Sequence, residues 1–85
     1  MTVLIAFQVY RTEKLSINGE DFTVRFTRRT DGEEYALFAV NEVGTKRWRG
    51  FYSTETAADS EKSTGQKLQD EVFAVLKGDI ERGHA

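Results

Sequence analysis

Between Phe22 and Val40 apolar and polar residues alternate. Phe22, Val24 and Phe26 are separated by single polar residues, and the run stops at Asp31-Gly32 before a second apolar stretch through Ala36, Leu37, Phe38, Ala39 and Val40. A period of two places alternate side chains on opposite faces of an extended chain. Asp-Gly is a pair suited to a two-residue hairpin turn. Counting outward from that turn sets Thr30 opposite Glu33, Arg29 opposite Glu34, Phe26 opposite Leu37, Arg25 opposite Phe38, Val24 opposite Ala39 and Thr23 opposite Val40. Phe22, Val24, Phe26 and Leu37 then share one face, as a core requires.

The same reasoning extends in both directions. Val3, Ile5, Phe7 and Val9 fall on one face of a first strand over Thr2–Tyr10, Arg11–Lys14 form a polar break, and Leu15–Ile17 make a short strand leading into Asn18-Gly19, a type I′ turn pair. Asn41–Gly44 reads as a turn, and Lys46–Tyr52 as the last strand, with Val40 opposite Thr45. Residues Ser53–Gly65 are small and polar with no apolar period, which predicts a loop or at most a weak helical turn. Ser63-x-x-Gln66 has capping-box spacing. From there Leu68, Val72, Val75 and Leu76 mark one buried helical stripe, with Phe73 at its edge. The helix ends at Gly78 or runs on through Ile80. The expectation is a single α+β domain over residues 1–85. Its sheet (2–52) is a four-stranded, or five-segment, antiparallel meander, followed by a polar loop (53–65) and one C-terminal amphipathic helix (64–80).

Composition narrows what such a domain can be. With 85 residues, 39% of them apolar and 31% charged, the chain can build one modest core and is expected to fold without a partner. It has no cysteine, which excludes disulfides and thiolate metal sites and fits a cytoplasmic location. Thr2–Tyr10 is too short to span a bilayer and lacks a basic leader, so no membrane association is expected. The net charge of −2 is unevenly shared: residues 1–52 carry eight Lys and Arg against seven Asp and Glu, and residues 53–85 carry four against seven.

Catalytic chemistry finds little support. The lone histidine, His84, stands one residue from the end, where chains usually fray. The acidic pairs Glu20-Asp21, Glu33-Glu34 and Asp70-Glu71 diverge whether they lie in strands or in a helix, so they make poor acid–base dyads. The glycines form no phosphate-binding loop. No catalytic residue, metal ligand or cofactor is expected, and enzyme activity is not.

One constellation does stand out. Lys46-Arg47-Trp48-Arg49-Gly50-Phe51-Tyr52 interleaves cations and aromatics. With Phe38 opposite Arg47 and Glu34 opposite Phe51, the residues Arg25, Arg29, Phe38, Arg47, Arg49 and Phe51 share the face turned away from the helix, while Trp48 joins Leu37 in the core. A loop one residue longer or shorter would exchange those faces. The middle strand is apolar on both faces through Ala36, Phe38 and Val40, so something should cover the second one.

Four meandering strands, a basic-aromatic last strand and a following helix over Phe22–Ile80 resemble, in element order, the half-unit of PUR-type repeats and related single-stranded DNA-binding domains that pair into dimers. That resemblance implies a single-stranded DNA or RNA ligand on the Arg and aromatic face. The first expectation from the residues is a non-enzymatic protein-binding module, an adaptor or inhibitor, whose partner protein occupies that face. The alternatives are single-stranded nucleic-acid binding there and a homodimeric structural subunit.

Overall fold

The computed structural model describes residues 6–83. Four strands, β1 (Phe7–Ile17), β2 (Glu20–Arg29), β3 (Glu34–Asn41) and β4 (Arg47–Ser53), form one antiparallel sheet in sequential order. Two helices follow, α1 (Thr54–Thr64) and α2 (Leu68–Glu81). The chain is thus an α+β fold with a meander sheet, but two helices stand where the pattern predicts one.

The β1–β2 turn is the Asn18-Gly19 turn predicted, with both residues at positive φ, 53° and 79°. The β2–β3 register is also the predicted one, with Phe26 opposite Leu37, Arg25 opposite Phe38 and Val24 opposite Ala39. Its turn differs: Gly32 alone has positive φ, and the Gly32 N–H donates to the Arg29 carbonyl at 2.8 Å. Thr30–Glu33 therefore make a wider loop, with the Asp31 carboxylate accepting from the Glu33 N–H at 3.0 Å.

Three expectations need correction. The polar stretch Arg11–Lys14 is no break. β1 runs unbroken from Phe7 to Ile17, because its edge position tolerates polar side chains, and it absorbs one irregularity as a bulge between Val9 and Arg11. The earlier part of the predicted first strand, including Val3 and Ile5, lies outside the described residues. The predicted loop 53–65 is largely α1, which no apolar stripe announces because it buries no residue. Its caps hold it: the Ser53 hydroxyl accepts from the Thr56 N–H at 3.0 Å, and Gly65, at φ 73°, closes it by donating to the Glu61 carbonyl at 2.8 Å. Ser63 accordingly sits inside α1 and caps nothing. α2 starts at Leu68 after Lys67, without a side-chain cap, and continues past Gly78.

The core lies between the sheet and α2. Phe22, Val24, Phe26 and Leu37 meet Leu76 and Ile80, all buried, and the Phe73 ring stacks on Phe26 at 5.4 Å. Val75, expected in the stripe, faces outward instead, since Leu68, Val72, Leu76 and Ile80 form a cleaner four-residue period. No helix among the described residues is long and apolar enough to cross a membrane.

Candidate functional site

The sheet face opposite α2 is built in rows, because residues paired across antiparallel strands point to the same side. One row is Thr12, Arg25, Phe38 and Arg49, reading from β1 to β4. Beside it run Lys14, Thr23, Val40 and Arg47 on one side and Val9, Thr27, Ala36 and Phe51 on the other. The predicted β3–β4 pairing is wrong by two residues: Val40 faces Arg47 rather than Thr45, and Phe38 faces Arg49 rather than Arg47. The extra loop length is fixed by Asn41, whose buried side-chain oxygen accepts from the Thr45 and Lys46 amides at 2.9 and 3.1 Å. A two-residue slip leaves every side chain on its face. Arg25, Phe38, Arg47, Arg49 and Phe51 therefore lie together, and Trp48 lies on the core side.

At the centre of this face the backbone is covered by small side chains. Ala36 and Thr27 are buried, and the Thr27 hydroxyl donates to the Ala36 carbonyl at 2.8 Å, so this buried hydroxyl is satisfied. Three phenylalanines close over that floor. The ring centroids of Phe7 and Phe38, Phe7 and Phe51, and Phe38 and Phe51 are 6.2, 6.0 and 5.9 Å apart, all edge-on. Such edge-to-face packing is the favoured aromatic arrangement. Phe51 and Val9 remain half exposed, so the cluster rises as an apolar mound.

Arginines border the mound unequally. Arg29 is held by Asp31 at 2.8 Å and Glu34 at 3.4 Å. It is positioned on the same face, but its charge is already matched. Arg25, Arg47 and Arg49 make no ion pair among the described residues, and with Phe38 and Val40 they line a groove of about 540 Å³. The site therefore offers three unpaired guanidinium groups beside an aromatic cluster. Among the described residues no three His, Asp or Glu side chains gather as a metal site, and His84 lies outside those residues.

Phe7 and Val9 are the residues of this face that the pattern misassigns. Their alternation is plain in the sequence, but it reads as the core face of strand one. The bulge next to Tyr10 inverts the alternation, sending Tyr10 and Arg11 to the helix side, where Arg11 lies 4.8 Å from the Phe26 ring centre, and leaving Phe7 and Val9 on the other. No known family model matches this sequence, and no curated protein or solved structure is significantly similar to it.

Proposed function

We propose that the chain is a small protein-binding module, an adaptor or inhibitor, whose open sheet face seats on a partner surface with an apolar centre and an acidic margin. The observation that carries this reading is the Phe7–Phe38–Phe51 mound bordered by the unpaired Arg25, Arg47 and Arg49. Aromatic anchors with arginine are the side chains that contribute most to protein interfaces. The three rings pack edge-on against one another rather than standing apart as flat platforms, which favours a protein surface over stacked bases. A symmetric pair of copies joined through this face would bring like-charged arginines together, which disfavours the homodimer.

Affinity for a partner first captured and identified, then purified, tests the reading. Phe51→Ala and Arg49→Glu should each weaken binding about 30-fold, equivalent to ~2 kcal/mol for a hot-spot side chain, with circular dichroism showing an intact fold. Lys77→Glu, on α2, should leave affinity unchanged. Full affinity in a folded Phe51→Ala, Arg49→Glu double variant overturns the proposal. Retention of an oligonucleotide at low salt in place of a protein would move the assignment to nucleic acid.

A further inference from the structure

The helix side of the sheet carries a second feature, on the opposite face from the aromatic mound. Tyr10 from β1, Tyr35 from β3 and Tyr52 from β4 converge there. The Tyr35 and Tyr52 rings stack at 5.2 Å and 12°, and Tyr10 stands edge-on to Tyr35 at 6.3 Å. The Tyr10 hydroxyl donates to Gln69 in the first turn of α2. Burial, with the neighbouring Tyr10 and Tyr35 phenols, pushes Tyr52 above its ordinary value of 10.0, so the group stays neutral at physiological pH.

Across from this wall α1 presents Ala57 and Ala58. Side chains this small leave a cleft of about 590 Å³ between α1, the start of α2 and the tyrosines. That volume falls within the range of roughly 300–1,000 Å³ typical of small-molecule sites. Two cations line it, Arg28 and Lys67, against one acid, Glu61. Neither cation makes an ion pair among the described residues, and the Arg28 guanidinium stands 5.6 Å from the centre of the Tyr35 ring. Tyr10 is half exposed, which leaves the aromatic wall open to solvent.

We propose that this cleft binds a small, flat aromatic molecule carrying a negative charge, its ring against the tyrosine wall and Ala58 and its anionic group held by Arg28 and Lys67. Aromatic walls recognise a planar ring by area and edge contacts, and guanidinium and ammonium groups without carboxylate partners supply charge-assisted hydrogen bonds to a carboxylate or similar anion. Val9 borders both this cleft and the protein-binding face, but no residue varied in one test is varied in the other, so the failure of this proposal and the failure of that reading are separate results.

Amide-resolved NMR titration with 2-naphthoate, and with neutral 2-naphthamide as its comparison, tests this directly. The expected result is a cluster of shifts at Tyr10, Tyr35, Ala58 and Gln69, with the acid bound about tenfold tighter than the amide, or ~1.4 kcal/mol. Arg28→Gln with Lys67→Gln should erase that preference while leaving the amide's binding in place. Ala58→Trp should fill the cleft and abolish both without altering the rest of the spectrum. Equal affinity for acid and amide, shifts confined to the Phe7, Phe38 and Phe51 face, unchanged binding in Ala58→Trp, or no shift at low-millimolar ligand would overturn the proposal.

Discussion

Trp48 settles which side of β4 is which. Its indole ring lies against Gly50, where an added Cβ would overlap the ring, and its Nε1–H donates to Asp79 on α2 at 2.9 Å. Gly50→Ala should therefore displace the indole and cost about 2 kcal/mol, as overpacking typically does, read as a lowered midpoint in denaturant. The pairing of an aromatic with a glycine two residues on is visible in the sequence, but the ring's hydrogen bond to Asp79, 31 residues later, is not. Glu20 and Asp31 contribute to the acid response. The Lys46 and Asn41 side chains hold the Glu20 carboxyl below its ordinary 4.5, and Arg29 together with the Glu33 N–H holds Asp31 below 3.8. A lowered native pKa stabilises the fold above the ordinary value, and that contribution disappears as pH falls through the native one. Melting temperature should thus decline below about pH 4.5, and Glu20→Gln with Asp31→Asn should flatten the decline. An equally steep decline in the double variant would contradict this assignment.

At the scale of elements the two helices owe their existence to different physics. α2 is an amphipathic helix whose buried side chains complete the core. Leu76 is fully buried and Val75 half exposed. Leu76→Ala should cost ~2–5 kcal/mol, whereas Val75→Ala should change stability by less than about 0.5 kcal/mol. The apolar spacing made α2 legible from sequence, with Val75 wrongly included because Val72, Val75 and Leu76 also fit a helical spacing. α1 was not legible, since it buries no residue and rests on the Ser53 and Gly65 caps and on the Thr54 N–H bond to the Glu33 carbonyl at 3.0 Å. Segments with little buried apolar surface open first. Hydrogen exchange should find the α1 amides exchanging well before those of α2 and the central strands, and equal protection would contradict this account of α1.

For the whole molecule the sheet and its two faces set the division of labour. One face, with Phe22, Val24, Phe26 and Leu37, is closed by α2, and the other carries the phenylalanine cluster and its arginines. Alternation along β2 and β3 was enough to place Arg25 and Phe38, and parity along β4 placed Arg47, Arg49 and Phe51 even though the pairing count was two residues out. Phe7 and Val9 escaped because a bulge is a tertiary irregularity with no residue signature at Tyr10. The helical half, which is the more acidic by composition, lies on the side of the sheet away from these arginines, so under the proposed reading an acidic partner would be drawn to the sheet side rather than repelled by the molecule as a whole. The most direct measurement is hydrogen exchange of the chain with and without its captured partner. Binding through the open face predicts new protection in β3 and β4, centred on Phe38, Arg49 and Phe51, with α1 and α2 unchanged. Protection confined to the helices, with β3 and β4 unaltered, would contradict it.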